Sequence, residues 1–169
     1  MEVALSVAVA VALGVVWVLV LRRSPRRRRI PGAPREVDRV LEAYRRRDWE
    51  EVVDRAPEVL ARPGDGGDAS WRPAVELALG QSLAELDRPG DAVPHLERGL
   101  LLQAALRRSA GGTEAARPDE AKLRHLLGWS YAATGRTAQA RREYRRALDT
   151  PGLDPDIRAR VEQSIDELR

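Results

Sequence analysis

The chain contains no cysteine and no phenylalanine. The first absence excludes a disulfide framework, a thiolate metal site and a cysteine nucleophile. The second, with aromatics at only 4% of the residues, means that the core is built from Leu, Val and Ala. Of 29 basic residues Lys122 is the single lysine and the rest are Arg, which reads as the coding bias of a GC-rich, bacterial genome. Histidine occurs only at His95 and His125, neither with an acid or a second histidine four residues on. A metal site needs three or four converging ligands, so no metal and no other cofactor is expected. No segment alternates with period two over a useful length, so no strand is expected, nor a phosphate loop that follows one. What remains is a 169-residue chain, room for one modest domain, with 43% hydrophobic and 33% charged residues, too apolar for a disordered tail.

The basic balance is local. Residues 1–30 carry six Arg against Glu2, a net +5, whereas residues 31–169 are net −2. A nucleic-acid-binding domain carries a basic face of its own, so no nucleic-acid partner is expected.

Val3 to Leu21 is an apolar run of 19 residues without a charge. As a helix rising ~1.5 Å per residue it spans about 28 Å, close to the ~30 Å hydrocarbon core of a bilayer. Trp17 lies near its end, where an indole suits the interface. Arg22, Arg23, Arg26, Arg27, Arg28 and Arg29 follow. A cleaved signal peptide has a basic start and a small-residue cleavage site; here the start is Met1-Glu2 and the run ends in Leu21-Arg22, so residues 1–23 read as an uncleaved transmembrane anchor. Arginines only after the span place residues 22–169 in the cytoplasm by the positive-inside rule, at the inner membrane in a bacterium. The same arginines face anionic lipid, but plain topology, with no specific lipid bound, is the preferred reading of the run. Residues 24–34, with three prolines, one glycine and four arginines, form a basic linker.

From Arg35 to Arg169 the hydrophobic pattern is helical. Val37, Val40, Leu41 and Tyr44 make one stripe, and Arg45 to Asp48 a break. Trp49, Val52, Val53 and Ala56 make the second. Residues 63–68 read as a loop, and Ser70 as the cap of a helix with Val75, Ala78, Leu79, Leu83 and Leu86. After Pro89-Gly90-Asp91 come Ala92, Val93, Leu96 and Leu100, with Leu101 beside them. Residues 109–117 read as a loop, and Pro118 suits the first turn of a helix with Leu123, Leu126, Leu127 and Tyr131. Gly135 turns into Ala140, Tyr144, Ala147 and Leu148. Ile157, Val161, Ile165 and Leu168 stripe a closing helix.

Within this pattern a repeat recurs at an offset of 48 residues. Leu79-Gly80, Leu83-Ala84 and Asp87 correspond to Leu127-Gly128, Tyr131-Ala132 and Gly135. Ala92, Leu96 and Gly99 correspond to Ala140, Tyr144 and Ala147. Small residues at these places let two helices cross closely, and the large ones fill the space beside them. The pattern resembles the tetratricopeptide repeat family. Gly128, Tyr131, Gly135, Ala140, Tyr144 and Ala147 match that family best, with Pro151 near its closing proline. Residues 72–100 match with Leu83 and Leu96 in place of aromatics, and 35–60 keep Asp48-Trp49-Glu50-Glu51-Val52 but lack the Leu-Gly and hold Pro57 inside a helix. The family repeats every 34 residues; the excess here falls in 101–119, where regular stacking is least expected. The resemblance implies an all-α fold of about three helix-turn-helix pairs plus a capping helix over 35–169, behind the single transmembrane helix; an all-α bundle without a superhelix is the alternative.

Gly128-Trp129-Ser130-Tyr131-Ala132 lacks the last glycine of a G-x-S-x-G elbow and no strand precedes it. Acid pairs such as Asp119-Glu120 sit at helix starts, where they suit the dipole. No catalysis is expected. The resemblance implies a concave face made by the first helix of each pair, with Tyr44, Arg45, Gln81, Glu85, Lys122, His125 and Trp129 pointing outward to hold a protein or peptide partner. Nothing in the repeat pattern asks for Lys122, His125 or Gln81, which marks them as free of duties in the fold. Trp129 fits two roles equally, partner anchor and packing against the closing helix. An adaptor at the membrane is one function that fits; the other is a structural subunit that self-associates or packs within a larger complex.

Overall fold

The computed structural model describes residues 33–62, 70–109, 111 and 118–168. All of them belong to the unit Gly32–Arg169. The apolar run, its six arginines, nearly all of the linker 24–34, the 63–68 loop and most of the 109–117 loop lie outside these residues. Among the described residues no helix is long and apolar enough to cross a membrane.

Seven α-helices follow one another: α1 Arg35–Arg45, α2 Trp49–Ala61, α3 Arg72–Glu85, α4 Pro89–Ser109, α5 Pro118–Ala133, α6 Thr137–Leu148 and α7 Pro155–Asp166. The described residues contain no strand. α2 runs through Pro57. α3 begins one residue later than a Ser70 cap would set it, because Trp71 is the N-cap, without a side-chain capping bond, and Pro73 occupies the first turn. α4 reaches Ser109, so much of the excess over the family's repeat length is helix.

Three helix pairs share one turn. Asp48 N–H donates to Ala43 O at 3.0 Å, Arg88 to Leu83 O at 2.9 Å and Arg136 to Tyr131 O at 2.8 Å. The preceding N–H groups, of Arg47, Asp87 and Gly135, bond Tyr44 O, Ala84 O and Ala132 O at 3.0–3.1 Å. These are the two bonds of a Schellman ending, which needs a left-handed residue between helix and next cap. That residue is Arg47 (φ 61°), Asp87 (φ 56°) and Gly135 (φ 76°) in turn. The first pair thus closes like the others although only glycine takes that conformation without strain.

Each first helix packs on its own second helix and on the second helix of the pair before. The first helices α1, α3, α5 and α7 also touch in succession, whereas α2, α4 and α6 do not touch one another. A row that is closed on one side and splayed on the other curves, with the first helices on the inside. α7, which packs on both α5 and α6, takes the place of the first helix of a fourth pair. Stacking therefore continues across the long 101–119 connection.

The core follows the offset of 48. A Cβ on Gly80 would come within 3.0 Å of Leu96, and one on Gly128 within 3.0 Å of the Tyr144 ring. The small residue of each pair is on the first helix and the large one faces it from the second. For Gly128 the close neighbour is the Tyr144 ring, and the small Ala140 marks the neighbouring turn of α6. Ser82 and Ser130, also 48 apart, are fully buried and donate to the carbonyls of Ala78 and Leu126 at 2.8 and 2.9 Å. Leu101, grouped with the apolar stripe of α4 by sequence, is 65% exposed, whereas the adjacent Leu100 is buried.

Buried charge joins the pairs. Glu76 of α3 meets His95 Nδ1 at 2.7 Å and Arg98 at 3.3 Å on α4. At the corresponding positions of the next pair, Arg124 stands for Glu76, Glu143 for His95, and Arg146 keeps the arginine of position 98: Arg124 of α5 meets Glu143 of α6 at 2.9 Å, and Arg146 meets Glu143 at 2.8 Å. Arg124 also binds Glu120 at 2.6 Å, and Arg107 reaches Glu120 from α4 at 2.5 Å. Glu120 is 1% exposed. The sequence reading of it goes no further than suiting the α5 dipole; in the fold, two arginines from two helices also hold it inside. Burial alone would raise its pKa, and the hydrogen bonds from Arg107 and Arg124 more than reverse that, so the carboxyl sits below its usual range.

Candidate interaction groove

Along the inner side of the curve runs a groove of about 760 Å³. α1 and its turn contribute Tyr44 and Arg47, and α3 contributes Gln81 and Glu85. α5 supplies Lys122, Leu123, His125, Leu126 and Trp129, and the start of α7 supplies Asp154, Asp156, Ile157 and Arg160. Six of the seven residues named from the sequence, Tyr44, Gln81, Glu85, Lys122, His125 and Trp129, come together here. Arg45 does not: it pairs with Glu42 at 3.1 Å and lines a neighbouring cavity of about 450 Å³.

The six differ in what the fold asks of them. Tyr44 donates its hydroxyl to Gln81 Oε1 at 2.5 Å, tying α1 to α3. Burial, with Glu85 nearby, raises the Tyr44 pKa, so the phenol stays a neutral donor. His125 Nε2 lies 3.0 Å from Ser164 Oγ on α7, and its ring is 5.6 Å from that of Tyr144. Burial, helped by Arg160, lowers the His125 pKa and keeps the imidazole neutral. Gln81 and His125 therefore also hold helices together, contrary to the expectation that they are free. The side chains of Lys122, Glu85 and Arg47 make no ion pair or hydrogen bond among the described residues, and all three residues are exposed. Trp129 is 38% exposed. It lines the groove and leaves part of its surface open.

Sequence reasoning missed Arg47, Asp154, Asp156, Ile157 and Arg160. Arg47 lies in a turn, and the rule applied to the sequence considered first helices only. The α7 residues would have been found by treating α7 as the first helix of a fourth pair, because Asp154 caps that helix through Asp156 N and Ile157 N.

The chemistry available is recognition. Ser130, the serine of the incomplete elbow, is buried and bonded to Leu126 O. Among the described residues no group of three or more His, Cys, Asp or Glu is placed to hold a metal ion. The groove offers separated charges of both signs, amide and phenol groups, and the apolar side chains of Leu123, Leu126 and Ile157.

No curated protein matches the sequence. Residues 73–98 and 121–146 match the family model described as Tetratricopeptide repeat. The two matched segments cover α3 with the first part of α4, and α5 with most of α6, 48 residues apart. The first pair lies outside the match, although its turn is built in the same way. Such repeats generally mediate protein–protein interactions and are typically non-enzymatic scaffolds. Over these two segments, the chain is similar to the tetratricopeptide repeat family.

Proposed function

We propose that the chain is a membrane-tethered adaptor that recruits a protein partner to the inner face of a membrane through the groove. The observation that carries the reading is the set of groove side chains the fold leaves open: Lys122, Glu85, Arg47 and the part-exposed Trp129 line one concavity. A groove with a Trp anchor and mixed polar walls suits an extended peptide or a partner helix. The tether is the apolar run Val3–Leu21, and the arginines after it orient the repeats to the cytoplasm.

Affinity capture with the full chain tests the groove. Partners retained by the native chain are lost with Lys122→Glu and Trp129→Ala, while the thermal melt shifts little. Equal retention by a folded variant contradicts the reading. The tether has its own test: a reporter fused after Arg169 is active on the cytoplasmic side. A mature chain beginning after Leu21, or a reporter on the outer side, removes the anchor without touching the groove.

A further inference from the structure

The outer surface of α4 carries a pattern that the groove does not use. α4 is 21 residues long against 14 for its partner α3, and its far half, Leu100 to Leu106, holds Leu or Ala at every position but Gln103. A helix that is apolar all round is normally covered all round. Here Leu101 is 65% exposed and Ala105 is exposed, whereas Leu106 borders the cavity beside α1 and α3. An open trough of about 380 Å³ lies alongside, with Leu100, Leu101 and Ala104 on one wall and Arg142 and Arg146 on the other.

One stripe of this surface reads Glu97, Leu101, Ala104, Arg108, at intervals of four, three and four. Those are the intervals of a coiled-coil seam. Glu97 and Arg108 are both exposed at its two ends, and Arg108 makes no ion pair among the described residues. They lie eleven residues apart, about 16 Å along one helix, too far to meet within a chain. The sequence is self-complementary: turned antiparallel about its midpoint, the stripe sets each Glu97 against an Arg108 and each Leu101 against an Ala104. The small alanine lets the backbones approach, and the leucine fills the space it leaves.

We infer that this stripe is the interface for a second copy of the chain, in a two-fold antiparallel pairing of α4 helices. Two-fold interfaces use the same patch on both partners, which self-complementarity requires. A seam of about three turns is small beside a standard interface, so the pairing is weak and concentration-dependent. It is placed on the outer face, so a dimer presents two grooves and leaves both open.

The test is the mass of the full chain in detergent micelles, by sedimentation, across a wide range of protein concentration. The mass rises toward two copies. Leu101→Asp and Arg108→Glu each weaken the association about tenfold or more. Glu97→Arg does the same, and because Glu97 also accepts a hydrogen bond from Tyr131, its folding is checked by circular dichroism. The double exchange Glu97→Arg with Arg108→Glu restores the dimer, since the two charges meet only between copies. A single-copy mass throughout overturns the proposal. So does a dimer indifferent to Leu101→Asp, which would place the contact elsewhere, or a folded double exchange that stays monomeric.

Discussion

Gly128 shows how one side chain sets a helix crossing. The Tyr144 ring occupies the space a Cβ would need, and Tyr144 is itself 2% exposed, so the ring has little room to move away. Gly128→Leu overpacks this crossing and costs roughly 1–3 kcal/mol. A thermal melt reads that as a lowered midpoint, and an unchanged midpoint contradicts the crossing. Glycine at this place was legible in the sequence from its twin Gly80. Glu120 was not, because a carboxylate at a helix start is ordinarily solvated. Only the folded chain brings Arg107 to it from thirteen residues away. The same residues set a pH dependence. The folded pKa of Glu120 is depressed, so its stabilisation is present above the unfolded value near 4.5 and is lost as pH falls through the folded one. The folded pKa of His125 lies below 6.5, so the unfolded chain takes up a proton first and stability declines as pH falls below about 6.5. Thermal midpoints therefore fall in two stages on acidification. His125→Gln flattens the upper stage and Glu120→Gln the lower; two variants that titrate like the native chain contradict both assignments.

At the scale of elements, the helix pattern was readable from period and turns, and the boundaries followed the stripes. The difficulty lay where two physical effects compete. Ser70 has a good capping side chain, but Pro73 fits the first turn of a helix that begins at Arg72, and the start moves on by one residue. Leu101 follows a leucine that is buried, and a stripe alone does not say which of two adjacent leucines the neighbouring helix reaches. α7 is the clearest case of an element whose role exceeds its stripe. Val161 is fully buried, Ile157, Ile165 and Leu168 are half-buried, and Arg141 bonds Leu168 O at 2.5 Å. Ser164 meets His125. One full and three partial aliphatic burials are worth roughly 3–5 kcal/mol before ordering entropy is subtracted. Removing residues 154–169 exposes the last stacking surface, as in any repeat array without its cap. The truncated chain melts far below the native one or aggregates, and an equal melt contradicts a capping role.

For the whole molecule, curvature follows from which helices touch. Four first helices in contact, and three second helices apart, put Tyr44, Gln81, Glu85, Lys122, His125 and Trp129 on one inner face. The family resemblance pointed to that face before the fold was known, because the outward positions of first helices follow from the repeat. It did not reveal that Gln81 and His125 are also structural, since those bonds, to Tyr44 and Ser164, join different repeats. The central claim is that this face holds a partner, and photo-crosslinking from position 129 tests it most directly. The full chain, with a photoreactive residue in place of Trp129, is irradiated in the cells that make it; the same residue in place of Arg142, on the outer face, is the control. One discrete adduct forms from position 129, weakens with Lys122→Glu, and is absent from position 142. A folded chain that gives no adduct from 129, or the same adduct from both positions, contradicts the account.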